Sequence, residues 1–94
     1  MSGDLYVGKT VLITGSRRGV GKAIAEHFLR EGAIKVFGFA RGEGSIHHPN
    51  YHHIEVDVGD PESVLRGFAK LKQLSESIQI VVNNAAVLTS QYSM

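Results

Sequence analysis

The chain has 94 residues, of which 43% are hydrophobic, and this is enough for one small globular domain and no more. Its 10 basic and 9 acidic residues are spread along the chain, and the formal net charge of +1 argues against a nucleic-acid partner. There is no cysteine for a disulfide or a thiolate metal site, and no apolar run approaches the ~20 residues of a membrane-spanning helix. The amino terminus also lacks an apolar secretory signal, so we expect a cytoplasmic protein without a membrane partner.

The first strand and the first helix are predicted from short apolar patterns. The run KTVLIT at 9–14 is typical of a strand buried on both faces of a parallel sheet. A helix is predicted from Gly19 to Glu31, followed by Gly32 at a position that favours a left-handed cap. The apolar residues of this helix recur at helical spacing: Val20, Ile24, Ala25, Phe28 and Leu29.

Three further strands are predicted. KVFGFA at 35–40 is apolar and leads into a loop at 41–51 that is rich in glycine and histidine. After this loop, HHIEV at 52–56 predicts a short third strand. A polar break precedes IQIVVNN at 78–84, which predicts the fourth strand.

A second helix is predicted between the third and fourth strands. Asp60 suits its N-cap and Pro61 its first position, and the apolar pattern continues to residue 74. Its predicted core-facing stripe has four members: Val64, Leu65, Phe68 and Leu71. Lys70 and Lys72 are interpreted as a solvated face of this helix.

The alternation of strands and helices predicts an α/β fold. Strand, helix, strand, short strand, helix, strand is the order of a parallel sheet with right-handed crossovers and flanking helices. We expect residues 1–94 to form part of one such domain, with its sheet cut after the fourth strand. A sheet cut there leaves the outer edge of the fourth strand unpaired, and it exposes sheet faces that later helices would cover. The chain on its own should therefore be marginally stable or associate.

Three glycines lie where the first strand passes into the first helix, namely Gly15, Gly19 and Gly21. Glycine permits a sharp turn and a close approach of the backbone to a bulky anion, and a helix N-terminus offers free N–H groups and the positive end of a dipole. Because the glycines follow a strand and open a helix, their spacing predicts a phosphate-binding corner. The alternative is that they are ordinary turn and cap glycines.

Three motifs together resemble the short-chain dehydrogenase/reductase family. They are TGSRRGVG at 14–21, Asp57 with Val58 after the third strand, and VVNNAAV at 81–87 after the fourth. The family usually has a glycine where this chain has Ala86. The added methyl group affects only how closely the backbone can approach the cofactor ribose. The resemblance implies a Rossmann-type fold and a nicotinamide dinucleotide cofactor.

The resemblance also implies which residues hold that cofactor. Backbone amides and one hydroxyl would bind the pyrophosphate and the adenosine ribose at five positions: Gly15, Ser16, Gly19, Val20 and Gly21. Asp57 would accept a hydrogen bond from the adenine amino group, and the Val58 amide would contact the ring edge. Asn84 and Ala85 would line the cofactor ribose, whereas Asn83 would tie neighbouring strands together. The alternatives are that Asp57 satisfies turn amides and that the asparagines only form a turn.

The end of the second strand bears on the choice between NAD and NADP. NAD-specific enzymes place a carboxylate there, where it binds the ribose hydroxyls and repels a phosphate, but this chain has Ala40. Arg41 follows at once, and Arg18 lies in the glycine loop, so two guanidinium groups could converge on a 2′-phosphate, with Arg17 directed to solvent. In the family, basic residues at these positions go with NADP(H). The alternative is that both arginines are surface charges.

The catalytic residues that the family uses are not found in these 94 residues. Its members carry a tyrosine and a lysine at Y-x-x-x-K spacing, with a serine and an asparagine, beyond the fourth strand. Tyr92 has no lysine four residues on, so we assign no catalytic residue and expect the 94 residues alone to be inactive.

We therefore expect the amino-terminal half of an NADP(H)-dependent oxidoreductase, which reduces a carbonyl or oxidises an alcohol by hydride transfer. Its partners would be the carboxy-terminal remainder of the same fold and, when complete, further copies of itself as a homo-oligomer. The alternative is a catalytically inactive NADP-binding or regulatory module. A reading frame that continues past Met94 into a Y-x-x-x-K motif would favour the enzyme.

Four histidines lie close together in the segment HHPNYHH: His47, His48, His52 and His53. Histidine is a common metal ligand, but adjacent residues of an extended segment point to opposite faces. No cysteine or suitably spaced carboxylate completes a tetrahedral set. We expect a solvated loop and no metal site.

Overall fold

The computed structural model describes residues 6–15, 19–75 and 77–84. Their elements, in chain order, are β1 (Thr10–Thr14), α1 (Gly19–Arg30), β2 (Lys35–Ala40), β3 (Tyr51–Glu55), α2 (Pro61–Leu74) and β4 (Ile80–Asn83). All six elements were predicted in kind and in order. Their ends differ from the predicted ends by at most two residues.

The four described strands form one parallel sheet in the order β3-β2-β1-β4. In the register, Ile13 of β1 lies between Gly38 of β2 and Val82 of β4. The chain therefore builds outward from β1 to β3 and then returns to the other side of β1. A parallel sheet with such a reversal has a crevice outside the carboxyl ends of its strands, where ligands bind in α/β proteins. The predicted α/β fold is confirmed.

Each face of the sheet carries its own hydrophobic core. The core on the α1 side consists of Val11, Ile13, Ala25, Phe28, Ala33, Val36 and Tyr51. The core on the α2 side consists of Leu12, Phe37, Phe39, Ile54, Val56 and Leu71. Because successive strand residues point to opposite faces, β1 contributes to both cores, and its predicted burial on both faces is confirmed.

The predicted helix ends are also confirmed. Gly32 has φ +94°, a left-handed conformation that suits glycine, and the Ala33 amide donates to the Phe28 carbonyl at 3.0 Å to close the end of α1. At the start of α2, Asp60 Oδ1 accepts a hydrogen bond from the Glu62 amide at 3.1 Å. Neither of the two described helices combines the length and the apolar content that a bilayer-crossing segment needs.

Three apolar helix residues are exposed, and two of them, Leu65 and Phe68, were predicted to face the core. Val20 is 68% exposed because it lies in the first turn of α1, where the helix leaves the glycine turn. Leu65 is 69% exposed because it lies about 100° further round α2 than Val64, which packs against the core. Phe68 is 43% exposed and makes an edge contact with Phe39 of the core, at 5.3 Å between ring centroids.

Candidate functional site

The turn after β1 has a backbone conformation that favours glycine. Gly15 has φ +73°, and its amide donates to the Phe39 carbonyl of β2 at 2.7 Å. Gly19, the first residue of α1, has φ +64°, and a Cβ added there would meet no described atom within 4 Å. Among the described residues, none therefore crowds the Cβ position of Gly19 at the carboxyl edge of the sheet.

Gly21 is required for a different reason, namely the close packing of α1 against the end of β1. A Cβ at this buried position would overlap the Gly15 carbonyl oxygen and lie 2.9 Å from Asn84 Nδ2. Any larger residue would push the first turn of α1 away from the sheet. Gly15 and Gly19 thus serve the turn, and Gly21 serves helix packing.

Two asparagines at the end of β4 join this strand to the central strand and its turn. Asn83 Oδ1 accepts a hydrogen bond from Thr14 Oγ1 at 2.9 Å, which ties β4 to β1 as the resemblance implied. Asn84 Nδ2 donates to the Gly15 carbonyl at 3.2 Å. Asn84 therefore holds the glycine turn in position, a structural role that was not predicted.

Asp57 follows β3 and takes part in a turn. Its Oδ1 accepts a hydrogen bond from the Gly59 amide at 3.0 Å, so the turn-amide alternative describes one of its interactions. Its own amide donates to Ser63 Oγ at 2.8 Å, which joins the turn to α2. Asp57 and Val58 are both exposed at the carboxyl edge of the sheet.

A groove of about 430 Å³ lies beside the ends of β2 and β3, against α2. Ala40, the last residue of β2, is 6% exposed and offers no carboxylate. Arg41, the next residue, is exposed and lines the groove together with Asp57. The guanidinium of Arg41 and the carboxylate of Asp57 therefore line the same open groove.

These features match a known family. A model of the short chain dehydrogenase family matches residues 9–94. The chain belongs to the short-chain dehydrogenase/reductase family.

Individual relatives agree with this assignment. A sorbitol dehydrogenase of Cereibacter sphaeroides is 44% identical over 85 residues, which cover 85% of this chain and 33% of that protein. The ligand-free structure of the Thermoplasma acidophilum aldohexose dehydrogenase is 36% identical, with a TM-score of 0.72, over 83% of this chain and 29% of that one.

A short chain dehydrogenase from Burkholderia cenocepacia J2315, solved in complex with NADP, is 28% identical, with a TM-score of 0.73, over 89% of this chain and 33% of that one. The chain thus spans about a third of the length of the relatives that it matches. The predicted Rossmann-type fold is confirmed by these structures.

Three predicted site residues lie outside the described part of the chain: Ser16, Arg18 and Ala85. Arg17, which was expected to face solvent, and Tyr92, which was assigned no role, lie outside it as well. The convergence of Arg18 with Arg41 stays a prediction.

The histidine segment differs from the solvated loop that the sequence led us to expect. His47 and His48 are exposed, but His52 and His53 lie in β3 and are partly buried. The Nε2 atom of His53 is 2.7 Å from the Gly42 carbonyl oxygen, and the ring of His52 packs against Phe37. Among the residues that the structure describes, no three histidine or carboxylate side chains are grouped to hold a metal ion.

Two residues that line the groove beside Arg41 were not predicted from the sequence. Arg66 and Lys70 of α2 line it, whereas Lys72, which was placed with Lys70 on one solvated face, does not. The signal was available, because residues four apart on a helix share a side and the helix follows Asp57 directly.

Proposed function

We propose that the protein is an NADP(H)-dependent oxidoreductase of the short-chain dehydrogenase/reductase type, which reduces a carbonyl or oxidises an alcohol by hydride transfer. Residues 1–94 would be the amino-terminal part of its single dinucleotide-binding domain. The observation that carries the proposal is the uncrowded Cβ position of Gly19 among the described residues, next to the turn at Gly15 that the Asn84 side chain holds in place. No described atom lies within 4 Å of the Cβ position at Gly19, which leaves room among the described residues for a pyrophosphate at the start of α1.

The described residues fit such a cofactor. The first turn of α1 contains no acidic side chain, so the positive end of the helix dipole is not neutralised. Five positions would hold the pyrophosphate and the adenosine ribose: Gly15, Ser16, Gly19, Val20 and Gly21. Asp57 and Val58 would hold the adenine, and Asn84 and Ala85 the cofactor ribose. When bound, the nicotinamide supplies or accepts the hydride.

The choice of NADP(H) is supported by the end of β2. Ala40 cannot repel a 2′-phosphate, and the exposed guanidinium of Arg41 can donate to one. Arg18 would be its second donor. The Burkholderia cenocepacia relative was solved with NADP.

The reaction itself would depend on groups outside these 94 residues. A serine, a tyrosine and a lysine would polarise the carbonyl and move its proton, and the substrate would be selected there. A cytoplasmic location and a homo-oligomeric state belong to the same proposal. That the chain spans about a third of its relatives' length supports a longer enzyme.

A matched pair of glycine variants tests the anion corner. Gly8 and Gly19 both have positive φ, and at both positions an added Cβ would meet no described atom within 4 Å, but Gly8 precedes β1 and lies away from the site. The Gly19→Val variant should lose NADPH and NADH binding in a calorimetric titration, because the side chain fills the approach to the backbone amides. The Gly8→Val variant should bind both dinucleotides as the wild type does.

Both variants introduce a β-branched residue at positive φ, so their melting temperatures should fall by similar amounts. Wild-type dinucleotide affinity in Gly19→Val would contradict the proposed site.

A further inference from the structure

The groove that Arg41 lines has a second basic wall, formed by α2. Arg41 lies at the end of β2, and Arg66 and Lys70 line the same groove of about 430 Å³ from the helix. Because Arg66 and Lys70 are four residues apart, their side chains lie on one side of α2. Three cations therefore line one open groove beside the end of β2.

Two carboxylates also line this groove, Glu55 and Asp57, so the cations outnumber the anions by one. Asp57 already accepts a hydrogen bond from the Gly59 amide. Within the described residues, no side-chain hydrogen bond or ion pair engages the charged groups of Arg41, Arg66 or Lys70. All three residues are exposed.

The position of the basic wall is set by close packing of α2 on the sheet. A Cβ at Gly67 would lie 2.5 Å from Val56 Cγ2 and 3.2 Å from Phe39 Cζ, so only glycine lets the helix come this near. The hydrogen bond from the Asp57 amide to Ser63 Oγ, at 2.8 Å, holds the start of α2 against the β3 turn. Arg66, next to Gly67, is thereby held at the rim of the groove.

We infer that Arg66 and Lys70 determine cofactor specificity, by binding the 2′-phosphate of NADP(H) together with Arg41. The inference rests on the proposed function, which puts the 2′-phosphate of the adenosine ribose beside Arg41 at the end of β2. A phosphate monoester carries close to two negative charges and three strong acceptor oxygens, more than one guanidinium can satisfy. Arg66 supplies a second planar pair of donors, and Lys70 supplies a further positive charge.

The test compares three charge-removing variants of α2. Arg66→Gln and Lys70→Gln each remove one cation from the groove, and Lys72→Gln removes one cation from the same helix outside the groove. Dissociation constants of the complete enzyme for NADPH and NADH are measured by calorimetry at an ionic strength of about 0.15 M, where distant charges are screened. Arg66→Gln should weaken NADPH binding about tenfold, the size of one charge-assisted contact, and Lys70→Gln should weaken it by a smaller factor. NADH binding should stay unchanged in every variant, and Lys72→Gln should match the wild type for both cofactors.

Unchanged NADH binding also shows that each variant is folded. If Arg41→Gln loses the preference for NADPH while Arg66→Gln and Lys70→Gln keep it, the inference about α2 is wrong and the proposed function stands. If Arg66→Gln weakens NADPH and NADH equally, Arg66 does not select the phosphate, and the inference is again wrong. If the wild type binds both cofactors equally or binds neither, the proposed cofactor choice fails and the inference fails with it.

Discussion

At the scale of single residues, cofactor choice depends on the pair Ala40 and Arg41. We predict that the complete enzyme binds NADPH at least tenfold more tightly than NADH, a difference of about 1.4 kcal/mol. Arg41→Ala should lower this preference, and the double variant Ala40→Asp with Arg41→Ala should reverse it, because a carboxylate then binds the ribose hydroxyls and repels the phosphate. Calorimetric titration with both cofactors measures the effect.

Arg30→Ala is the control for this prediction, since it removes an exposed arginine from the last turn of α1, away from the groove. Its cofactor preference should equal that of the wild type. Ala40 is 6% exposed, so the double variant needs a melting curve to show that the buried carboxylate has not unfolded the protein. A folded double variant that still preferred NADPH would contradict the assignment of this site.

Single residues also show what a sequence pattern can and cannot predict. The family resemblance correctly implied that Asn83 ties two neighbouring strands, here β4 and β1. The bond from Asn84 to the Gly15 carbonyl was not predicted, because it depends on how far each backbone extends past its strand. Neither the positive φ of Gly19 nor the absence of described atoms around its Cβ position could be predicted from the sequence.

At the scale of elements, Gly67 sets the distance between α2 and the sheet. We predict that Gly67→Ala destabilises the protein, although alanine favours a helix by about 1 kcal/mol relative to glycine. The added Cβ would lie 2.5 Å from Val56 Cγ2, and such overpacking costs about 1–3 kcal/mol, so the two effects oppose each other and the overpacking should prevail. Thermal unfolding followed by circular dichroism should show a lower melting temperature.

The double variant Val56→Ala with Gly67→Ala identifies the cause of this destabilisation. Val56→Ala alone should destabilise the protein by opening a cavity in the core beside α2. If the Cβ at residue 67 fills that space, the double variant should lose less stability than the sum of the two single variants. Strictly additive losses would mean that Val56 and the added Cβ do not meet.

The limits of helical periodicity are visible in α2. The pattern predicted a stripe of four residues, and Val64 and Leu71 do pack against the core. Leu65 lies outside the surface by which α2 contacts the sheet, and Phe68 lies at the margin of that surface. Periodicity identifies the apolar side of a helix, but the line along which the helix meets the sheet depends on packing, which Gly67 sets here. For the same reason the apolar pattern did not predict that Lys70 lines the groove beside Arg41 whereas Lys72 does not.

At the scale of the whole molecule, an apolar surface lies between α2 and β4. It is a groove of about 230 Å³ that includes Phe68 and Val81, which are 43% and 61% exposed. Val58, at 43%, lines the same groove. Among the described strands β4 is at the edge of the sheet, so this groove adjoins the place where an α/β sheet would be extended and covered.

We predict that a preparation of residues 1–94 alone associates through this surface. Sedimentation velocity should show a weight-average mass that rises with concentration, because exposed apolar area and a strand edge both favour self-contact. The double variant Phe68→Gln with Val81→Thr should shift the distribution toward the monomer. The control is Ile34→Thr, which removes a comparable 53% exposed apolar residue between α1 and β2. Equal association of both variants would locate the contact elsewhere, and a wild-type chain that stayed monomeric at every concentration would show that the groove between α2 and β4 needs no cover.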